Sequence, residues 1–227
     1  MTHTLTHCIF DAYGTLFDVS AAARRLAAQD PALRDIWQAM AEDWRRKQLE
    51  YTWLRAIMGD HTDFRAVTAE ALDWTLERHG LPAALHSPLM ALYDRLDAFP
   101  EVPAMLATLT ARGVDCAILS NGAPGMLASA VASAGIGAHL VAVLSVEDVG
   151  VFKPDARVYA LACDRLGIAP GAAAFVSSNG WDASGAARFG FHAIWVNRGA
   201  APVDRLPHRP ALVLPDLSPL PELLRPE

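Results

Sequence analysis

The sequence predicts an α/β protein, a Rossmann-like doubly wound parallel sheet that carries an inserted helical-bundle cap domain. Short runs of apolar residues recur after long gaps, and they end in Asp, Ser or Gly. Helical patterns separate the later runs, as expected for βαβ units. The segment 18–98 contains no strand-like run and is expected to be helical.

The apolar runs predict the strands of the core. Each run is apolar at consecutive positions and bounded by turn residues, which is typical of parallel strands covered on both faces. The predicted strands are 7–12, 114–121, 140–146, 172–179 and 192–197. The patterns between the last four predict helices at 124–134, 155–167 and 183–188. The proline-rich tail predicts an edge strand at 211–214 and a last helix at 217–225.

The segment 18–98 predicts the cap. It is rich in Ala, Leu, Arg, Glu and Trp, and its helical pattern is interrupted at Gly59-Asp60 and at Gly80-Leu81-Pro82. Because one strand precedes this segment and the other strands follow it, the core is expected to be discontinuous. The predicted domains are a core of residues 1–17 and 99–227 and a helical cap of residues 18–98.

The composition excludes several classes of function. The 19 basic and 25 acidic residues among 227 give a net charge of −6, and no basic run is long enough for a phosphate backbone, so nucleic acid is not expected as a partner. The first residues lack the basic and long apolar regions expected of a signal peptide, and no 18 uncharged apolar residues run together as expected of a membrane span. Cys8, Cys116 and Cys163 show no metal-ligand spacing and are expected to be small buried side chains. We therefore expect a cytoplasmic protein without structural zinc.

Polar residues end the predicted strands, at the edge where ligands bind in open α/β sheets. Asp11 ends the first apolar run and precedes a tight Gly14-Thr15 turn. An aspartate in this place can act as a nucleophile and form an ester intermediate, whereas its structural alternative is to cap the turn. The other candidates are Ser120, Asn121, Lys153, Ser177, Ser178, Asn179 and Asp182. The cap leaves the core after the first strand, so it can bring Arg45 or Trp53 onto the same site.

Three of these candidates also have structural interpretations. Ser120 and Asn121 are residue types that cap helices, and a predicted helix follows them. Lys153 precedes Pro154-Asp155 and has the alternative role of a surface lysine at a helix start.

Four motifs follow one another along the core: "FDAYGTL", "ILSNG", "FKPDARVY" and "SSNGWD". Their order resembles the haloacid dehalogenase superfamily, which shares a nucleophilic Asp, a strand-end Ser or Thr, a Lys and a fourth polar motif. The segment "WRRKQLEYTWLR" at 44–55 resembles the L-2-haloacid dehalogenases of this superfamily, and the similarity runs from Phe10 to Asn197. The resemblance implies hydrolysis of short-chain (S)-2-haloalkanoic acids to (R)-2-hydroxy acids and halide, without a metal or organic cofactor.

Tyr13 separates this activity from a phosphatase. In the phosphatases of the superfamily, a second Asp lies two residues after the nucleophile, and the fourth motif adds an acid that helps to hold Mg²⁺. This chain has Tyr13 and Ser177-Ser178 at those places. Since Mg²⁺ requires several oxygen ligands, a Mg-dependent phosphatase is the disfavoured alternative. A second alternative is an inactive binding protein on the same fold, but Asp11 and Lys153 are both present.

The resemblance implies the catalytic roles. Asp11 attacks the halogen-bearing C2 with inversion and forms an ester, and water then attacks the ester carbonyl. Lys153 stabilises the carboxylate and later the oxyanion. Asp182 is the candidate that activates the water, directly or through the Lys153 network. Three residues orient the carboxylate, the lysine and the water: Thr15, Ser177 and Asn179.

The resemblance also implies the binding roles. Ser120 and the N–H groups of Ala12 and Tyr13 receive the substrate carboxylate, while Arg45 and Asn121 match the positions that contact the halide. The residues that match the apolar wall are Tyr13, Leu49, Phe64 and Trp181, and Tyr159 matches a tyrosine near the lysine. Arg46 stands where relatives carry glutamine; we interpret it as part of a solvated helix face, the alternative being a second positive charge in the pocket.

The resemblance implies one protein partner, a second copy of the chain. Relatives are commonly dimers, and the Trp- and Leu-rich helices of residues 34–58 are the expected homodimer interface.

Overall fold

The structure, a computed structural model, describes residues 5–31 and 33–224. Within these residues six parallel strands form one sheet, in the order β3-β2-β1-β4-β5-β6. The strands are β1 (His7–Phe10), β2 (Asp115–Ser120), β3 (Leu140–Ser145), β4 (Ala173–Ser177), β5 (His192–Val196) and β6 (Leu212–Leu214). The strand order reverses at β1, which confirms the doubly wound sheet and places its ligand-binding crevice between β1 and β4.

Helices cover the sheet and form the segment between β1 and β2. They are α1 (Val19–Gln29), α2 (Trp37–Met58), α3 (Phe64–His79), α4 (His86–Met90), α5 (Val102–Ala111), α6 (Pro124–Ala134), α7 (Ala156–Leu166), α8 (Gly180–Phe189) and α9 (Leu220–Leu223). Every residue of β4 is buried, as are Cys8, Ile9 and Phe10 of β1. This burial explains why these strands are apolar at consecutive positions, since both faces of a central parallel strand are covered.

The cap is the helical segment that begins after β1. The breaks predicted at Gly59 and Gly80 are confirmed, because each glycine follows a helix in the left-handed conformation, with φ of 70° after α2 and 62° after α3. Asp63 caps α3, since its carboxylate accepts a hydrogen bond of 2.9 Å from the N–H of Ala66. The helical insertion is therefore confirmed, while the residue boundaries of the two domains stay a prediction.

Two predicted helices differ from the observed helices by more than one residue at an end. The helix expected at 183–188 begins earlier, at Gly180. Asn179 is its N-cap residue, and the Asn179 side chain makes no cap hydrogen bond. The last helix was expected at 217–225 but spans Leu220–Leu223, and residue 225 lies outside the described residues. The strand expected at 211–214 is confirmed as the edge strand β6.

Two expectations from the composition can be compared with the structure. The three cysteines are free thiols; Cys8 and Cys116 are buried neighbours on β1 and β2, but Cys163 is partly exposed, so the expectation of burial is wrong there. Across the described ranges, no helix combines the length and the apolarity that crossing a bilayer requires.

Candidate active site

Asp11 follows β1 directly, at the crevice between β1 and β4. Its N–H donates to the carbonyl of Val176 at 2.9 Å, so the backbone continues the strand pairing to this point. Its side chain is nearly buried, and Oδ1 accepts a hydrogen bond from Lys153 Nζ at 3.1 Å. Oδ2 accepts from Thr15 Oγ1 at 3.2 Å and from Asn179 Nδ2 at 3.1 Å. These donors hold the carboxylate in one orientation.

Lys153 lies between two carboxylates. Its Nζ donates to Asp11 at 3.1 Å and to Asp182 Oδ2 at 2.8 Å, and the residue is 1% exposed. Burial by itself lowers the pKa of this ammonium group, but the two negative charges outweigh burial and raise the pKa above its usual value. Lys153 is therefore a buried cation, and the alternative of a surface lysine is wrong.

Asp182 lies behind Lys153, on the first turn of α8. It is fully buried, and its Oδ1 accepts a hydrogen bond of 2.8 Å from the Tyr159 hydroxyl. Burial raises the pKa of Asp182, opposed first by the positive charge of Lys153, while the negative charge of Asp11 raises it further. Tyr159 thus contacts Asp182 rather than the substrate side of the site, which corrects its grouping with the binding residues.

Thr15 and two serines support this arrangement from behind. The Thr15 hydroxyl accepts a hydrogen bond of 2.8 Å from the N–H of Ser178, and its oxygen lies 3.2 Å from Asp11 Oδ2 and 3.1 Å from Ser178 Oγ. Ser177 Oγ accepts from the N–H of Asn179 at 3.1 Å, so it positions the asparagine and not the nucleophile itself. The sequence identified Ser178 as a strand-end candidate, but it assigned no role to this residue.

Ser120 and Asn121 end β2 and do not cap α6, whose N-cap residue is Ala123. Ser120 Oγ accepts a hydrogen bond of 3.1 Å from the N–H of Gly122, and Asn121 Oδ1 accepts one of 3.0 Å from the N–H of Lys153. The helix-cap alternative is therefore wrong. Because the amide oxygen of Asn121 is occupied, its Nδ2 group is the part that remains to donate to a ligand.

Core and cap residues together line a small cavity beside Asp11. The residues that line it are Asp11, Tyr13, Arg45, Leu49, Phe64, Ser120, Asn121, Lys153, Asn179 and Trp181. All of them are residues that the sequence singled out. The other predicted residues form no part of this wall: Ala12, Thr15, Tyr159, Ser177 and Asp182.

Aromatic side chains make part of the wall apolar. The rings of Tyr13 and Phe64 are stacked, with centroids 5.9 Å apart and an interplanar angle of 15°. Burial raises the pKa of the Tyr13 hydroxyl well above its usual value, so this side chain stays neutral. Trp53 packs edge-on against Trp181, with centroids 5.3 Å apart, and does not itself line the cavity.

Arg45 reaches the cavity from α2, whereas its neighbour Arg46 does not. Arg45 Nη2 lies 3.5 Å from Asn179 Oδ1, and Nη1 donates to Gln48 Oε1 at 2.6 Å. Arg46 is exposed and forms ion pairs with Asp43 and Glu50, which confirms its place on a solvated helix face. Sequence reasoning missed Gln48, although its spacing three residues after Arg45 is the signal that places both side chains on one helix face.

Comparisons with known proteins agree with this fold. A protein-family model described as haloacid dehalogenase-like hydrolase matches residues 5–190. The chain is 41% identical over 219 residues to (S)-2-haloacid dehalogenase 1 of Pseudomonas sp. strain CBS-3, covering 96% of this chain and 95% of that protein. The crystal structure of a dehalogenase superposes with a TM-score of 0.95 at 38% identity, with 100% of both chains covered.

A second solved structure is that of an L-2-haloacid dehalogenase from Xanthobacter autotrophicus with chloropropionic acid covalently bound. It superposes with a TM-score of 0.87 at 38% identity and covers 97% of this chain and 98% of its own. The identity and coverage of these relatives are high enough to show that the chain belongs to the same family. The chain belongs to the haloacid dehalogenase-like hydrolase family and, within it, to the (S)-2-haloacid dehalogenases.

Proposed function

We propose that this protein hydrolyses short-chain (S)-2-haloalkanoic acids to (R)-2-hydroxy acids and halide through an ester on Asp11. The observation that carries this proposal is the Asp11 carboxylate, held by Lys153, Thr15 and Asn179 against a small, partly apolar cavity. Relatives named (S)-2-haloacid dehalogenase support it. The chloropropionic acid bound covalently in the Xanthobacter protein supports the covalent intermediate.

In the first step, an Asp11 oxygen attacks C2 on the side opposite the halogen. The new carbon–oxygen bond forms as the carbon–halogen bond breaks, and the bonding pair leaves with the halide. The configuration at C2 is therefore inverted. Ser120 and the N–H group of Tyr13, two residues that line the cavity, receive the substrate carboxylate and align C2 with Asp11.

The departing halide needs stabilisation, because an unsolvated anion in an apolar cavity is costly. Arg45 supplies a positive charge from the cap, and Asn121 supplies the amide donor that its contact with Lys153 leaves available. Exclusion of water by Tyr13 and Phe64 strengthens these interactions, since charges attract more strongly in a medium of low dielectric constant.

In the second step, water attacks the carbonyl carbon of the ester and not C2, so the inverted configuration is retained. Lys153 stabilises the oxyanion that forms on Asp11. The bond between the acyl carbon of Asp11 and the oxygen on C2 then breaks, that oxygen takes a proton from Lys153 and leaves as the hydroxyl of the product, and Asp11 keeps the oxygen of the water. Asp182 is fully buried behind Lys153, so it takes up the proton of the water through the hydrogen-bonded Lys153 rather than by direct contact.

The activity is tested by chloride release from L-2-chloropropionate with and without EDTA. We expect release that EDTA does not diminish and a product of R configuration. Phosphate-ester cleavage that requires Mg²⁺ would support the phosphatase instead, and the absence of both activities would support an inactive binding protein.

The intermediate is tested by a single turnover in heavy-oxygen water. We expect the label to enter the peptide that contains Asp11, detected by mass spectrometry, and the product to be unlabelled. Asp11→Asn is the matched variant, and it is expected to lose chloride release and labelling together. Label that enters the product directly would show that water attacks C2 and that no ester forms.

The phosphatase is not favoured by the side chains at the site. Asp11 and Asp182 both bind Lys153 Nζ, and Tyr13 occupies the place where a second aspartate would stand. In residues 5–31 and 33–224, no group of three or more His, Cys, Asp and Glu side chains is arranged to hold a metal ion.

We also propose that the protein forms a homodimer through the α2 region. Three large apolar side chains are exposed near the end of α2, which is the segment that the sequence suggested as an interface: Leu54, Ile57 and Met58. Burying such a patch against a second copy would remove apolar surface from water. The location in the cytoplasm stays a prediction from the sequence.

A further inference from the structure

Gln48 is a buried polar residue of the cap that the proposed reaction does not use. It lies on α2, has no exposed surface and does not line the cavity beside Asp11. Its Oε1 accepts a hydrogen bond of 2.6 Å from Arg45 Nη1. Its Nε2 donates to Thr68 Oγ1 at 2.8 Å and to the Tyr93 hydroxyl at 3.3 Å. All of its polar atoms are therefore occupied, and one of them holds the arginine that reaches the cavity.

The neighbours of Gln48 determine which way its amide points. A guanidinium group only donates hydrogen bonds, so the amide oxygen must face Arg45. Thr68 uses its hydroxyl proton in a bond of 2.6 Å to the carbonyl of Phe64, so its oxygen can only accept, and the amide nitrogen must face it. Thr68 thus fixes the orientation of Gln48, and Gln48 fixes the position of Arg45.

Arg45 differs from the next two cations on α2 in the charge of its partners. Arg46 pairs with the carboxylates of Asp43 and Glu50, and Lys47 pairs with Glu50. The contacts that the described residues make with the Arg45 guanidinium are with amide oxygens, at Gln48 and at Asn179. A neutral amide orients a cation without neutralising it, whereas a carboxylate would cancel the charge that attracts an anion.

We propose that Gln48 is a positioning residue that holds Arg45, whose described hydrogen-bond partners are amide oxygens, toward the departing halide. This inference rests on the proposed function. Gln48 does not contact the substrate and acts only through Arg45. The bond to Gln48 is the shorter of the two Arg45 contacts, 2.6 Å against 3.5 Å to Asn179, so it is the one that anchors the side chain.

The test compares chloride and bromide as leaving groups in single-turnover halide release from L-2-chloropropionate and L-2-bromopropionate. Gln48→Leu removes the acceptor, and Gln48→Glu keeps an acceptor but adds a negative charge. We expect Gln48→Leu to slow chloride release by about tenfold or more, the size of effect of losing one hydrogen bond to a charged group. We expect Gln48→Glu to slow it as well, because the added carboxylate cancels the charge of Arg45. Bromide release should slow less, because bromide is the better leaving group and needs less stabilisation.

Thr68 and Thr75 provide a matched pair of variants on α3. Both are buried and both donate to the carbonyl four residues earlier, Thr68 to Phe64 and Thr75 to Ala71. Only Thr68 also contacts Gln48. Thr68→Val should therefore reproduce part of the Gln48→Leu effect, and Thr75→Val should leave the ratio of chloride to bromide rates unchanged. Equal slowing of both halides by Gln48→Leu, or an equal effect of the two threonine variants, would overturn the positioning role.

A binding measurement separates this inference from the proposed function. Bromide is titrated into each variant at constant ionic strength, with sulfate as the balancing anion, and tryptophan fluorescence is recorded because Trp181 lines the cavity. We expect wild type to bind bromide about tenfold more tightly than Gln48→Leu, which loses the hydrogen bond to Arg45. Equal bromide affinity of the two would refute the inference even if the wild-type enzyme is an active dehalogenase. A difference in affinity would support it even if haloacid hydrolysis were not detected.

Discussion

Residues of one type take different roles in this protein according to the groups that touch them. Asp11 and Asp182 both bind Lys153, but Asp11 lines the cavity whereas Asp182 is fully buried behind the lysine. Asp11 faces the cavity, as a nucleophile must. The buried position of Asp182 suits a group that holds the lysine and takes up a proton. The chemistry of each carboxylate thus follows from its surroundings.

Tyr159→Phe is expected to lower kcat. It is also expected to raise the pH below which kcat falls as the solution is acidified, which we call the acid limit. The Tyr159 hydroxyl bonds to the Asp182 carboxylate and lowers the pKa of that group, against the larger raising effect of burial. Without the hydroxyl, Asp182 protonates at a higher pH, so activity that needs its charged form is lost at a higher pH as the solution is acidified. We expect kcat at neutral pH to fall about tenfold, as for the loss of one hydrogen bond to a charged group.

The measurement is the pH dependence of kcat for L-2-chloropropionate, with the fold checked by circular dichroism at each pH. The phenylalanine keeps the ring contacts of Tyr159 with Phe175 and Phe189. Tyr51→Phe, on α2 and partly exposed, is the control and should leave the profile unchanged. An acid limit that does not move, or moves to lower pH, would contradict the assigned role of Asp182.

The order and the ends of the elements build the site from distant parts of the chain. Asp11 follows β1, Ser120 ends β2, and Asn179 follows β4, and these strands are neighbours in the sheet. Parallel strands bring their carboxyl ends to one edge, which is why polar residues separated by more than a hundred positions share one cavity. The helices of the cap add the remaining walls.

Gly122, after β2, sets the position of Tyr13. A Cβ atom built on Gly122 would lie 2.7 Å from Tyr13 Cε2 and 3.0 Å from Leu127 Cδ2. Gly122→Ala is therefore expected to displace the Tyr13 ring into the cavity and raise the KM for L-2-chloropropionate by about five- to tenfold, within the range of overpacking effects. The measurement is steady-state halide release.

Gly125→Ala is the matched control, because nothing lies within 4 Å of a Cβ built there. It falls on α6 and is expected to keep the KM of wild type and to unfold at the same or a slightly higher temperature. If the two variants show the same KM, Gly122 does not set the Tyr13 ring.

At the scale of the whole molecule, the cavity exists only because the cap closes on the core. Arg45, Leu49 and Phe64 come from the cap, and the remaining wall comes from the core. The two parts are also joined by His61 and Glu147, whose Nε2 and Oε2 atoms lie 3.0 Å apart. The reaction therefore needs both parts in contact, since the nucleophile belongs to the core and the arginine to the cap.

Ile57→Asp is expected to convert a dimer into a monomer. Ile57 is 82% exposed, and Leu54 and Met58 beside it are also exposed, so a buried carboxylate at this position would oppose association. Light scattering coupled to gel filtration should give twice the chain mass of 24.4 kDa for wild type and the single mass for the variant. Val203→Asp, at another exposed apolar side chain, is the control and should remain a dimer. A wild-type mass of one chain would contradict the homodimer.

Individual residues show which roles could be predicted from the sequence and which could not. Arg45 and Arg46 are adjacent, and the resemblance together with helical periodicity assigned them to the cavity and to solvent, as the structure has them. Tyr159 was grouped with the binding residues, since its contact with Asp182 depends on how α7 packs against α8. Gln48 received no role, because its partners Thr68 and Tyr93 lie on other cap elements.

The sequence by itself determined the α/β class, the run of strands and helices, and the residue types at the strand ends. These depend on local periodicity and on turn residues, which neighbouring positions encode. Only the tertiary structure decided the strand order, the burial of Lys153 between Asp11 and Asp182, and the anchoring of Arg45 by Gln48. Such contacts join residues from different elements, and they form only when the sheet has assembled and the cap has docked on it.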